Sequence, residues 1–283
     1  IDPGHGLPHG FQMRRGPIDA LGIGVLQDVV VGDARAVRRR LHCNDAAKAE
    51  DIRRGSIVLK LHQKEADLLE PFVAAELERA MAFYEKKYQT RLNRPVQLEV
   101  YPDHEDFAVR ILGMPGMGAL GVTFVNVIAM DSPTSRKPGE YHWASTLWHE
   151  LSHVYTLAAT RQRMPRWFTE GLAVYDETIA SPEWGDRISP HVILAIRDKK
   201  LLPVAELDRG FVHPSYPDQV IVSYFQAGRV VAFIEEKWGF PKLLGMLRDY
   251  AALKETAEAV RNNLGVEPAE FDKQFVAWVE AQT

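Results

Sequence analysis

Two histidines four positions apart, with a glutamate directly after the first, constrain this chain more than any other feature: His149-Glu150-Leu151-Ser152-His153. On an α-helix such histidines lie one turn apart on the same face, close enough to bind one divalent cation. At about 100° per residue, Leu147, Leu151, Val154 and Ala158 fall on one side of that helix and the two histidines on roughly the opposite side. The helix must then lie between a hydrophobic core and a polar cleft. Two core histidines without a metal would leave Glu150 as a buried carboxylate with no partner, which is costly. The motif therefore points to Zn²⁺ held by His149 and His153, with Glu150 as general base on an activated water.

A catalytic zinc usually has three protein ligands and one open position. The third histidine of H-E-x-x-H-x-x-G-x-x-H is missing, because Ala159 stands there. Cys43 is the only cysteine, so any metal must be held by His, Asp or Glu. Glu170 lies 17 positions after His153, on what should be the next helix, which Pro165 starts. An ordinary surface carboxylate is the alternative. Its neighbours Trp167, Phe168, Leu172 and Ala173 are apolar and favour a buried, paired position.

The segment His149-Glu-Leu-Ser-His153, followed by Pro165-Arg-Trp-Phe-Thr-Glu170-Gly-Leu-Ala-Val-Tyr175, resembles the gluzincin metallopeptidases. It is most similar to the peptidase MA-like branch, often found in bacterial proteins beside tetratricopeptide repeats. The resemblance runs from about residue 56 to residue 281. It implies that His149, His153 and Glu170 bind zinc and that Glu150 is the base. It also places a tyrosine near Tyr224, where a donor is needed to stabilise the oxyanion of peptide hydrolysis. A plain core tyrosine on the stripe Val220, Tyr224, Ala227, Val231, Ile234 and Trp238 is the alternative, and Tyr216 and His213 are rivals. Asp176 and Glu177 are candidates to orient the zinc histidines, although Val174 occupies the place of the E-x-x-x-D pattern of some gluzincins. His142 either faces the cleft or caps the helix. His5, His9, His62, His104 and His191 receive no function.

The pattern predicts an α+β, zincin-like fold: a small mixed sheet with the active-site helix, then a mainly helical C-terminal half. Residues 1–55 form an irregular lead-in with a short helix at 33–41. Residues 56–139 form an α/β upper subdomain, and 140–283 a helical lower one that completes the same catalytic unit. Strands are expected at 56–62, 96–101 and 121–130. A helix spans 64–91, well ordered from about Glu70 because Pro71 suits a first turn. A second, capped by Asp103, reaches about residue 112. Helices are expected at 142–160, 165–180, 188–199, 218–238, 240–252 and 267–282.

The strand at 121–130 should form the sheet edge beside the active-site helix and pair with an extended peptide or protein substrate. Aminopeptidase relatives carry G-x-M-E-N there, whose glutamate grips a free amine. No acidic residue lies inside this strand, which argues for an endopeptidase. A weakly active or inactive domain that binds peptides is the alternative, and a zinc hydrolase of non-peptide amides is a third possibility. The net charge of −4 lacks the basic footprint of a nucleic-acid binder, and Arg38-Arg39-Arg40 is followed by Asp45, Glu50 and Asp51. No apolar run approaches the ~18 residues that span a bilayer. The chain opens at Ile1, so a missing leader decides nothing, and an extracytoplasmic setting is only slightly favoured.

Overall fold

The computed structural model describes residues 49–113, 118–137, 139, 141–184 and 188–282. The expected helix at 33–41, the Arg38–Arg40 cluster and Cys43 lie outside them. Five strands form one mixed sheet: β1 (Ala49–Arg54), β2 (Ile57–His62), β3 (Val96–Tyr101), β4 (Gly121–Phe124) and β5 (Val127–Asp131). The order is β1-β2-β3-β5-β4, with β2, β3 and β5 parallel and both edges antiparallel. In β2 the alternation decides the faces. Ile57, Leu59 and Leu61 are buried in the main core, against helix α1 (Ala66–Tyr88).

Three expectations need correction here. The irregular lead-in to residue 55 ends earlier, because Ala49–Arg54 is a strand paired along its whole length with β2. Its charged sequence, AEDIRR, hid the strand from an apolar-pattern reading. The single strand at 121–130 is a hairpin. Val125 and Asn126 form its turn, and Val125 takes φ 59, a left-handed conformation that β-branched residues rarely adopt. Only Gly121–Phe124 is therefore edge; β5 is interior and buried throughout. Finally, Pro71 sits inside α1 rather than in its first turn. Buried Ala66 and Leu69 anchor the turn before it, and the exposed Pro71 loses its ladder bond on the solvent side.

Asp103 caps α2 (His104–Phe107) by accepting from the Asp106 amide at 2.8 Å, and a π turn, Ala108–Leu112, continues it. Phe107 and Ile111 from this segment cover the second face of the sheet over Val122, Val127 and Ala129. Helices then follow: α3 (Trp143–Thr160), α4 (Arg166–Ala180), α5 (Pro190–Arg197), α6 (Arg209–Val212), α7 (Gln219–Trp238), α8 (Phe240–Ala251), α9 (Thr256–Leu264) and α10 (Pro268–Glu280). The sequence pattern did not foretell α6 or α9; α9 buries only Thr256, Ala259, Val260 and Leu264, and four of its other five residues are polar. Among the described residues, no helix is long and apolar enough to cross a membrane.

One hydrophobic cluster runs from Ile57 in the sheet through α1, α3, α4 and α7 to Val279 in α10. Helices α4 and α7 approach most closely at Gly171 and Gly228. A Cβ on Gly171 would meet the Ala227 carbonyl oxygen at 2.6 Å, and one on Gly228 would meet Val174 Cγ1 at 2.7 Å. A single buried carboxylate ties α1, α3 and α4 together. Asp176 accepts from Tyr88 at 2.6 Å, Ser152 at 2.7 Å and the Lys87 ammonium at 2.6 Å. Removing it strands a nearly buried cation. Asp176→Ala should therefore cost about 3–5 kcal/mol of folding stability in urea titrations. A loss under about 1 kcal/mol would show that the network is dispensable.

Candidate metal centre

Helix α3 carries the motif. His142 is its N-cap, its Nδ1 accepting from the Ser145 amide at 3.4 Å, so of its two expected places it takes the capping one. Leu147, Trp148, Leu151, Val154 and Tyr155 form the buried side. Ala158, expected on that side, is exposed near the helix end. His149 and His153 project from the other side, with ring centres 4.8 Å apart.

The chain reverses after Thr160 through Arg161 and Gln162, both at positive φ, and α4 returns alongside α3. Pro165 offers no side-chain cap for α4. Asp208 supplies one from a distant loop, accepting from the Trp167 amide at 2.7 Å. Glu170, on the second turn, then lies against both histidines. Its Oε2 is 3.2 Å from His149 Nε2 and 3.4 Å from His153 Nε2. Zinc with N and O ligands at 2.0–2.1 Å in a tetrahedron separates those ligands by ~3.3 Å. The two-imidazole, one-carboxylate donor set thus fits Zn²⁺ in chemistry, both histidine–carboxylate distances match that spacing, and all three donor atoms lie within 4.8 Å of one another. Among the described residues, these three form the one group able to hold a metal.

The outer nitrogens of both rings are also held. His149 Nδ1 lies 2.6 Å from Glu177 Oε1, and His153 Nδ1 lies 2.8 Å from the Thr169 hydroxyl. With a metal bound, protons on Nδ1 would leave both Nε2 lone pairs aimed at the shared point. Ser145 donates to the other oxygen of Glu177. Of the two candidate orienting acids, Glu177 touches a motif histidine. Asp176 instead serves the network with Lys87 and Tyr88. Thr169 was not foreseen, although a hydroxyl next to Glu170 within an apolar run was a usable signal.

The charges explain the ionisation of the group. Burial favours neutral His149, but hydrogen bonds and charges from Glu170 and Glu177 outweigh it and hold its pKa well above the usual range. Burial also opposes an ionised Glu170, yet His153 and His149 keep its carboxyl well below the usual range. Glu150 is raised by burial, which His153, His149 and the Thr123 hydroxyl only partly oppose.

Strand β4 lies directly over Glu150. The Thr123 hydroxyl is 2.7 Å from Glu150 Oε2 and 2.8 Å from the Glu150 carbonyl oxygen. A Cβ on Gly121 would sit 2.8 Å from Glu150 Cγ and 2.7 Å from Thr146 Cγ2, so only glycine lets the strand approach this closely. From α7, the Tyr224 ring lies 6.5 Å from that of His149 and packs edge-on against Phe211 at 5.1 Å. Burial and the Glu170 charge push its pKa well up, against the nearby Arg166 cation. Of its rivals, Tyr216 packs beneath the Lys200 ammonium, and His213 is exposed at the end of α6. Of the scattered histidines, His5 and His9 lie outside the described residues, and the others have local partners: the Lys64 amide for His62, Asp131 for His104 and Asp218 for His191.

A family model described as the peptidase MA superfamily matches residues 77–281, a span that contains every residue of this centre. No curated protein matches the chain significantly.

Titration of the metal-free protein with Zn²⁺ tests the centre. His149 is protonated at pH 7 when its pKa is raised, so zinc must displace that proton. Uptake of one ion per chain should release about one proton, and affinity should rise with pH until the raised pKa is passed. Calorimetry in buffers of different ionisation heat reads this directly; full uptake with no proton release would contradict it. Glu170→Ala should weaken zinc by more than the ~10–100-fold that loss of an outer partner causes.

Proposed function

The chain belongs to the peptidase MA superfamily, and on that premise we propose that it is a zinc-dependent metallopeptidase, an endopeptidase rather than an aminopeptidase. The observation that carries this reading is the convergence of donor atoms from His149, His153 and Glu170, all within 4.8 Å of one another, beside the buried Glu150. A bound zinc ion supplies Lewis acidity and an acidified water. The rest is the work of this chain's side chains. Glu177 and Thr169 fix the tautomer and tilt of the two histidine ligands. Glu150 takes a proton from the attacking water and passes it to the departing amine. Its raised pKa brings its basicity nearer to neutral pH, where a base that must later act as an acid works best. Thr123 holds the carboxylate in place. Tyr224, kept protonated by its raised pKa, donates to the oxygen of the carbonyl under attack.

The substrate is a peptide or protein lying along β4. One side of β4 pairs with β5, and its other side is the sheet edge, so an extended chain can add as a further strand. Thr123 and Gly121 place that edge directly over Glu150. The edge reads Gly-Val-Thr-Phe, with no carboxylate to hold a free N-terminus, which supports internal cleavage.

Hydrolysis of casein by the purified protein tests this function. Cleavage should disappear on zinc chelation. Glu150→Gln should keep the metal and lose at least about 100-fold in rate. Cleavage that survives both treatments would remove this centre from the reaction.

A further inference from the structure

Helix α3 carries two serines seven positions apart, and their hydroxyls donate to two consecutive acids of α4. Ser152 meets Asp176 at 2.7 Å, inside the network with Lys87 and Tyr88. Ser145 donates to Glu177 Oε2, and the other oxygen of that carboxylate, Oε1, lies 2.6 Å from His149 Nδ1. The mechanism above uses Glu177 and gives Ser145 no part.

Ser145 and His149 are four positions apart, so they stand one turn apart on the same face of α3. The Glu177 carboxylate bridges those two turns, with one oxygen on each. Glutamate is a long side chain that loses much rotamer freedom when it is held. One bond to an imidazole leaves its carboxyl plane free to turn. The second bond, from the same helix that carries the imidazole, fixes that plane against His149. The side chain is only 15 % exposed, so few waters compete for the oxygen that Ser145 holds.

The place of this acid on its own helix also calls for a partner outside it. Glu177 lies in the last turn of α4, where its carbonyl oxygen accepts from the Ser181 amide at 2.9 Å. A negative charge in a last turn meets the negative end of its helix dipole and is unfavourable there. Across the interface, Ser145 is the third residue after the cap His142, in the first turn of α3. The carboxylate thus rests at the positive end of α3, where negative charge is favoured.

We infer that Ser145 is a positioning residue for the metal centre. Through Glu177 it sets the tilt of the His149 ring, and it touches neither metal nor substrate. The inference rests on the metallopeptidase reading, in which His149 is a zinc ligand, and adds a residue to it.

The test compares the wild type with Ser145→Ala, Ser145→Thr, Glu177→Ala and the double variant of Ser145→Ala with Glu177→Ala. The readouts are zinc affinity by chelator competition, melting temperature, and the free zinc concentration that gives half-maximal casein cleavage. Ser145→Ala should melt as the wild type does and bind zinc about 10-fold more weakly, with the half-maximal zinc concentration raised by the same factor. Ser145→Thr keeps the hydroxyl and should keep wild-type affinity. The double variant should bind zinc no more weakly than Glu177→Ala alone, because Ser145 acts only through that carboxylate. If Ser145→Ala unfolds, Ser145→Cys, of similar size but a weak donor, takes its place with the same expectations. Wild-type zinc affinity in Ser145→Ala, or losses that multiply in the double variant, would overturn the inference while leaving the peptidase intact. A wild type that binds no zinc would overturn both. If zinc binds and casein is not cleaved, the peptidase reading fails and the affinities alone decide this inference, a 10-fold loss upholding it and an unchanged value overturning it.

Discussion

A carboxylate buried between two helices is costly unless positive charge or hydrogen bonds surround it, and Glu170 is placed where both do. His149 and His153 meet one of its oxygens and Arg166 the other. Much of the lower half serves that placement. The reversal at Arg161 and Gln162 brings α4 back along α3, and Asp208 secures the first turn of α4 from outside the helix. Gly171, next to Glu170, lets α7 press close enough to put Tyr224 beside the same point.

The upper half contributes one contact of comparable weight. The edge strand β4 lies on α3 at Glu150, where Gly121 gives way and Thr123 bonds the carboxylate. On the proposed reading, the same four residues hold the acid–base group and offer the edge to a peptide. The short hairpin makes the arrangement rigid: β5 is paired on both sides and buried, so β4 has a fixed floor.

Much of this was legible in the sequence, and the gaps have physical causes. The helix period marked α3, α4 and α7, the spacing of His149 and His153 pointed to a metal, and the resemblance implied Glu170 as its third ligand before any fold was known. Glu177 was one of two candidates two turns beyond Glu170, and only the packing of α4 on α3 separates it from Asp176. Thr123 and Thr169 escaped notice because each meets its partner across a strand or helix contact that no spacing rule encodes, whereas the Arg166–Glu170 pair, four positions apart on α4, obeys one and went unread. The turn at Val125 was hidden because a β-branched residue in left-handed conformation carries no turn signal. Strand β1 was hidden because its charges read as loop. The short helix α9 was hidden because few of its residues are buried.

X-ray absorption at the zinc edge of the purified, zinc-loaded protein tests the central claim most directly. The account predicts four N and O ligands at about 2.0–2.1 Å, with the multiple-scattering signature of two imidazoles, and loss of one oxygen ligand in Glu170→Ala. Three or more imidazoles, an unchanged spectrum in Glu170→Ala, or failure to bind zinc at all would contradict it.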